Sequence, residues 1–273
     1  MIVFDDYHDR YENINLSRDD TGVLTMRLHT KGDKHIFSLK AHDEITDCLM
    51  HVSRDWYNKV VILTGTGEAF IDEFMTEEVD TPDFKDTSQY SPTFKDGWSK
   101  ILPEGRYMQQ NHLDVQVPMI AAVNGPASWH SELAVLCDIV ICSDDTFFQD
   151  LPHVPSGMVP GDGVHIIWPE ILGPNRGRYF LLTGEKIYAE EAKRLGIVSE
   201  VLPRERLGER AKELAASLAT HDHIFLRHTR SVLVQKLRKQ VADLLPLGLH
   251  AEYASALADT ALPRPDGVDW RDA

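Results

Sequence analysis

No stretch of this chain stays apolar over the length needed to cross a bilayer, so the sequence contains no transmembrane helix. The opening MIVFDDYHDRYEN lacks the basic start and apolar centre of a secretory leader, and the expected compartment is the cytoplasm, with no membrane partner. Cysteine is scarce. Cys48, Cys137 and Cys142 are an odd number without paired ligand spacing and sit inside apolar segments, which excludes a disulfide framework and a cysteine zinc site and predicts buried, reduced thiols. There is no serine-nucleophile elbow, no CxxC and no phosphate-cradling GK. TGTGEAF, residues 64–70, lacks the third glycine and the helix of a dinucleotide fingerprint. Basic residues are also in deficit, with 28 Lys and Arg against 43 Asp and Glu and a formal charge of −15. That balance argues against nucleic acid, whose binding draws on clustered cations, and suits an anionic cofactor poorly. No internal repeat or low-complexity tract occurs.

What remains is an ordinary globular composition, with 42% hydrophobic and 26% charged residues over 273 positions. Residues 12–30 alternate apolar and polar positions on either side of RDDTG, the pattern of a β-hairpin. Ser38 is placed to cap a helix carrying Ala41, Ile45, Leu49 and Val52. KVVILTG (59–65), VPMIAAVNG (117–125) and CDIVICS (137–143) read as buried strands, and a helix is expected around 98–112. Residues 71–97 are acidic, aromatic and weakly periodic, and are read as a loop or mobile cover. The alternation predicts an α/β chain with a mainly parallel sheet and sites at its strand ends. From 203 the pattern is helical, through RERLGERAKELAASLA, IFLRHTRSVLVQKLRKQ and VADLLPLGLHAEYASALAD, and the tail after Leu262 reads as frayed. The expected division is a core over 1–202, a helical region over 203–262 and a flexible tail over 263–273.

One stretch stands out for its chemistry, PHVPSGMVPGDGVH at 152–165. His153 sits between prolines in a glycine-rich segment that follows TFFQD, and Asp162 lies nine residues on, in a VPGDG turn. A histidine base gains from a carboxylate on its other ring nitrogen, although Asp before Gly is equally a turn residue. His130, in SWHSEL where a strand gives way to a helix, is either an oxyanion donor or a helix-start residue. Asp138, Asp144, Asp145 and Asp150 are too dispersed for a metal site and read as solvated turn acids. Glu252 in GLHAEY reads on its own as an exposed helix acid, and His165 as structural.

In order, KVVILTGTGEAF, VPMIAAVNGPASWHSELAVLCDIVICSDDTFFQ, PHVPSGMVPGDG and GRYFLLTGEKIYAEEAKRLGIVSEVLP resemble the crotonase, or enoyl-CoA hydratase/isomerase, superfamily over roughly residues 12–260. The resemblance implies a spiral of ββα turns forming two roughly perpendicular sheets, and a helical C-terminal region that assembles trimers or dimers of trimers. It also implies enolate chemistry at two backbone N–H donors. Three departures are specific: Trp129 and His130 stand where CoA-dependent members carry glycines, Asp72 replaces a small residue in AFIDEFM, and Leu133 and His153 stand where hydratases carry acids.

Those departures, with TFFQDLPHVPSGMVPGDGVH, WPEILGPNRGRYFLLTG and LGLHAEYASA, resemble the β-diketone C–C hydrolases typified by 6-oxocamphor hydrolase. The resemblance implies that His153 and Asp162 are base and orienting acid, His130 binds a carbonyl, and Glu252 is an active-site acid. Phe37 then replaces a substrate-contacting tryptophan and loses its N–H donor, and Phe37, Trp129 and Asp72 are expected to line the substrate. The implied reaction adds hydroxide to one carbonyl of a small apolar, cyclic 1,3-diketone and expels an enolate; it uses no metal, nucleotide or CoA. Two alternatives stand beside it, an acyl-CoA enzyme with a relocated base and a catalytically silent binding or assembly protein.

Overall fold

The computed structural model describes residues 2–74 and 92–259. Its first element is the expected hairpin, β1 (Ile14–Arg18) paired antiparallel with β2 (Val23–Leu28). The turn is held by Asp19, whose carboxylate accepts from the Thr21 and Val23 amides. Strands β4 (Val60–Thr64), β6 (Met119–Val123) and β7 (Ile139–Ser143) add in parallel, and β10 (Glu200–Leu202) closes a six-stranded sheet in the order β1-β2-β4-β6-β7-β10. β4 and β6 are buried at every position, as β-branched runs covered on both faces should be. On one face Val60, Ile62, Ile120, Ala122 and Ile141 meet Leu207, Ala211, Ala215 and Ala219, a four-residue stripe down helix α7 (Arg204–Ala219). The other face joins the main core with Val61, Leu63, Met119, Ala121 and Val123.

The spiral is built from the short elements placed after each long strand. β2 leads to β3 (Ile36–Phe37) and helix α1 (Leu39–Arg54), capped by Ser38, whose Oγ accepts from the Ala41 amide. β4 leads past Ile71 to β5 (Glu73–Phe74) and, further along the chain, to α2 (Pro92–Asp114). β6 leads to Ala127 and α3 (Glu132–Val135), and β7 leads to β8 (Phe147–Phe148). β3 pairs with β5, Ile71 bridges to Ala127, Ala127 bridges to Phe148, and β8 pairs with β9 (Ile187–Tyr188). These short ladders form the second layer, one step per turn. Helices α4 (Val164–Leu172), α5 (Pro174–Thr183) and α6 (Ala189–Arg194) come after the loop that carries His153 and Asp162.

Four expectations need correction. The helix expected at 98–112 runs from Pro92 to Asp114; proline is suited to a first turn because its missing N–H would lack a partner there anyway. The stretch 71–97 is accordingly not one loop: Glu73–Phe74 is strand, 92–97 is helix, and 75–91 lies outside the described residues. The segment IFLRHTRSVLVQKLRKQ is divided, α8 (His223–Leu233) ending before α9 (Gln235–Asp259), which then continues through Pro246. No glycine or proline marks that break. The tail from 263 also lies outside the described residues. The three cysteines are free and buried as expected. Asp138 is not a solvated turn acid, for it accepts from the Met119 amide at 2.7 Å and pairs at 2.7 Å with Arg230, which is 1% exposed. Among the described residues no helix is long and apolar enough to cross a membrane.

Helix α9 packs on α2 and α4, and its contact with the VPGDG loop allows no side chain. A Cβ on Gly161 would lie 2.1 Å from the Gly248 carbonyl oxygen and 2.7 Å from Glu252 Cβ, and one on Gly248 would lie 2.3 Å from the His165 ring. His165 therefore helps fill this crossing. Gly161→Ala should force the helix and loop apart at a cost of about 1–3 kcal/mol; urea denaturation checks this, and an unchanged midpoint would show that the crossing yields freely.

Candidate active site

Two histidines and four acids converge where this crossing meets the second layer. A 3₁₀ turn at Val154–Ser156 comes directly after His153, with the Ser156 and Met158 amides both donating to its carbonyl. The His153 ring is 1% exposed; its Nδ1–H donates to Asp150 Oδ1 at 2.6 Å, and its Nε2 lies 3.6 Å from Asp162 Oδ1 and 3.9 Å from Glu252 Oε1. Asp162 reaches the other way too, its Oδ2 standing 3.7 Å from His130 Nδ1. That nitrogen donates to Glu132 Oε1 at 2.8 Å, and Gln109 Nε2, from α2, donates to the same oxygen. Glu252 arrives from α9, and the Val159 amide donates to Ser255 Oγ one turn further on.

Sequence distance hides this grouping. The structure brings together His130, His153, Asp162 and Glu252, the four residues expected to be catalytic, but the acid hydrogen-bonded to His153 is Asp150. Asp162 instead faces the opposite nitrogen, which corrects the expected pairing. Asp150 is 3% exposed rather than a solvated turn acid, and Glu252 is 7% exposed rather than an exposed helix acid. Asp150 and Glu132 went unrecognised in the sequence, where their one signal is nearness, three residues before His153 and two after His130.

The charges set the protonation of the cluster. Burial works against an imidazolium at His153, but Asp162, Asp150 and Glu252 outweigh it and hold the ring's pKa up at about 10. Burial pushes the Glu252 carboxyl up to about 8; Asp162 adds to the rise, and the two histidines oppose it. At His130 burial is again opposed, here chiefly by Glu132 and then Asp162, and the net effect is a rise above the ordinary histidine value. By contrast His35 and His112 are driven down by burial, to about 4 and about 3, which marks them as neutral core histidines.

Of the remaining expected residues, Phe37 and Trp129 join Phe74 in an aromatic wall. Phe37 is 2% exposed, and its ring centroid lies 4.2 Å from that of His130. Trp129 stacks on Phe74 at 4.8 Å, and Phe74 lies 6.3 Å from Phe37. Asp72 stands apart from the acid cluster and accepts from Ser128 Oγ at 2.6 Å, with burial raising its carboxyl above the usual range. His130 adopts a left-handed backbone, φ 44°, a conformation that glycine takes freely and other residues hold at a cost of about 1–2 kcal/mol. The Ser128 and Trp129 amides both donate to the Ile71 carbonyl, at 2.9 and 3.2 Å. The Trp129 N–H, at one of the two positions where CoA-dependent members carry glycine, is thus engaged within the protein.

Residues 18–255 match the enoyl-CoA hydratase/isomerase family, and the chain belongs to that family, the crotonase superfamily of enzymes. Among solved structures it is similar to a β-diketone hydrolase from the cyanobacterium Anabaena sp. PCC 7120, with 44% identity, a TM-score of 0.86 and coverage of 92% of this chain and 97% of that one. That structure holds (S)-3-oxocyclohexyl acetic acid. An enoyl-CoA hydratase/isomerase from Mycobacterium paratuberculosis shares the fold at 23% identity and a TM-score of 0.81, covering 92% and 96% of the two chains. Carnitinyl-CoA dehydratase from Shigella flexneri is 30% identical over 259 residues, 89% of this chain and 92% of that protein.

Because Glu132 is the strongest influence raising His130, Glu132→Gln should lower the pH at which the His130 ring titrates. Ring resonances followed by NMR across pH 5 to 9, a range centred near the ordinary histidine value, check this; an unmoved midpoint would contradict the assignment.

Proposed function

We propose that the protein hydrolyses a C–C bond of a small apolar β-diketone, cyclic or bicyclic, by a retro-Claisen reaction that yields a keto acid. The observation that carries this reading is the buried His153 ring, anchored at Nδ1 by Asp150 and facing Asp162 and Glu252 at Nε2, with His130 on the far side of Asp162. The likeness to the Anabaena β-diketone hydrolase at 44% identity supports it.

The reaction needs a nucleophile from water, a donor for each transient oxyanion and a proton for the leaving carbon. His153, Asp162 and Glu252 act as one proton store. With His153 near 10 the ring already holds a proton at neutral pH, and Glu252, near 8, is the member whose ionised, proton-accepting form grows as pH rises above neutrality. Water seated against Nε2 and Oε1 loses its proton into this store, and the hydroxide adds to one carbonyl. As the tetrahedral adduct collapses, the bond to the central carbon breaks and its electron pair passes into the second carbonyl as an enolate. His130, held above its ordinary value by Glu132, carries an N–H to that oxygen; losing such a donor costs about 2.7–4 kcal/mol of barrier. The store then returns its proton to the enolate carbon. The wall of Phe37, Phe74 and Trp129 suits the hydrocarbon part of the substrate.

The likeness to carnitinyl-CoA dehydratase favours a second reading, in which an acyl-CoA is the substrate. Against it stand the bulky Trp129 and His130 in the glycine positions and the engagement of the Trp129 N–H by the Ile71 carbonyl. We further infer that the C-terminal helices mediate self-association as a trimer or a dimer of trimers. Val232 and Leu233 on α8 and Leu247 on α9 are 69–77% exposed, an apolar surface that assembly would cover.

His153→Ala should reduce diketone cleavage by about 10²–10⁴ or more with the fold retained; loss of diketone absorbance on mono- and bicyclic 1,3-diketones, run beside an enoyl-CoA, checks this, and near-normal turnover would overturn the proposal. kcat/KM should also fall as pH drops through about 8, where Glu252 gains its proton and cannot accept another. That acid limb should vanish in Glu252→Gln; its persistence would assign the base elsewhere.

A further inference from the structure

We propose that His153, Asp162 and Glu252 form a binding site for a zinc ion, which would inhibit the enzyme. The three come from positions 153, 162 and 252, and their ligand atoms all lie within 4.8 Å of one another. Bonds of about 2.0–2.2 Å arranged tetrahedrally set neighbouring ligand atoms about 3.3–3.6 Å apart. The separations of 3.6 Å from Nε2 to Asp162 and 3.9 Å to Glu252 are at or near that spacing, and the two carboxylate oxygens lie within 4.8 Å of each other.

Two further observations point to a cation here. Asp150 binds Nδ1 of His153 at 2.6 Å, leaving Nε2 as the nitrogen turned towards the acids. This carboxylate–histidine arrangement orients zinc-ligating imidazoles and raises their basicity. Glu252, 7% exposed, has Oε1 directed at Nε2, while its Oε2 has no hydrogen-bond partner among the described residues. A buried carboxylate oxygen in that state gains a partner when an ion enters. The neighbouring group of His130, Glu132 and Asp162 is less suited, because His130 Nδ1 is already committed to Glu132, which also accepts from Gln109. With one imidazole and two carboxylates the site fits Zn²⁺ and rejects Mg²⁺, which takes oxygen ligands and keeps its waters. On entry zinc takes the place of the proton at Nε2, and that proton leaves to solvent. Inhibition, unlike binding, rests on the reaction proposed above, since an occupied Nε2 cannot face water.

Calorimetric titration of the chelator-treated full-length chain with ZnCl₂, in the absence of substrate, tests the site. About one Zn²⁺ per chain should bind. Affinity should fall at least tenfold in Glu252→Gln and in His153→Ala, and about 10–100-fold in Asp150→Asn, with no uptake of MgCl₂. Circular dichroism establishes that each variant is folded; should His153→Ala unfold, the conservative Glu252→Gln and Asp150→Asn carry the test. Absence of zinc uptake by the folded wild type, or uptake unchanged in the folded variants, overturns the proposal. Because no diketone is present, either result leaves the hydrolase reading to its own assay.

Discussion

The site depends on one contact between backbones. Where the VPGDG loop meets helix α9, Gly161 and Gly248 approach so closely that neither position has room for a Cβ. This close approach sets how far Glu252 reaches toward the loop holding His153 and Asp162. The loop is held from both sides, by the His153 carbonyl, which accepts from the Ser156 and Met158 amides, and by Ser255, which accepts from the Val159 amide. A buried cluster of acids and histidines keeps its pairings only if its frame is stiff enough to hold each group beside its partner. Here the frame is loop and helix backbone in direct contact.

One of the departures from the family pattern combines a backbone and a side-chain change. The turn after β6 keeps a left-handed backbone at His130, the conformation natural to glycine, while carrying an imidazole. One residue earlier, the Trp129 N–H is turned inward to the Ile71 carbonyl. The imidazole adds a side-chain donor where a glycine offers only its main chain. A backbone donor has fixed charge, whereas the proton affinity of the His130 ring is adjusted by Glu132 and Asp162.

Much of the fold was legible because its signals are local. The hairpin, the Ser38 cap and the buried strands arise from alternation, a single side chain and β-branched runs. The α8–α9 break has no such mark, since neither glycine nor proline stands at Val234, and tertiary packing decides it. At the site, His153 and Asp162 were visible through the length of their shared motif. Asp150 was misjudged because an acid at a strand exit is usually solvated; here burial under the second layer reverses that expectation. Glu252 shares a helix face with Val241, Leu245 and Leu249, all buried, so its inward placement follows the helical period, although an acid on a helix reads by residue type as exposed. The pairing of His153 with Asp150 instead of Asp162 depends on which ring nitrogen faces which acid, and sequence spacing carries no information about ring orientation.

Asp162 stands 3.6 Å from one imidazole and 3.7 Å from the other, at opposite oxygens of a single carboxyl group. The two histidines therefore do not hold their charges independently. A proton leaving either ring shifts the carboxyl's electron density towards the ring that keeps its own, so the halves of the site that would handle the nucleophile and the departing enolate are in electrical communication. In the proposed reaction one carboxyl would thus act as a messenger between two steps in time, linking a change at His153 to a change at His130 without any movement of the chain.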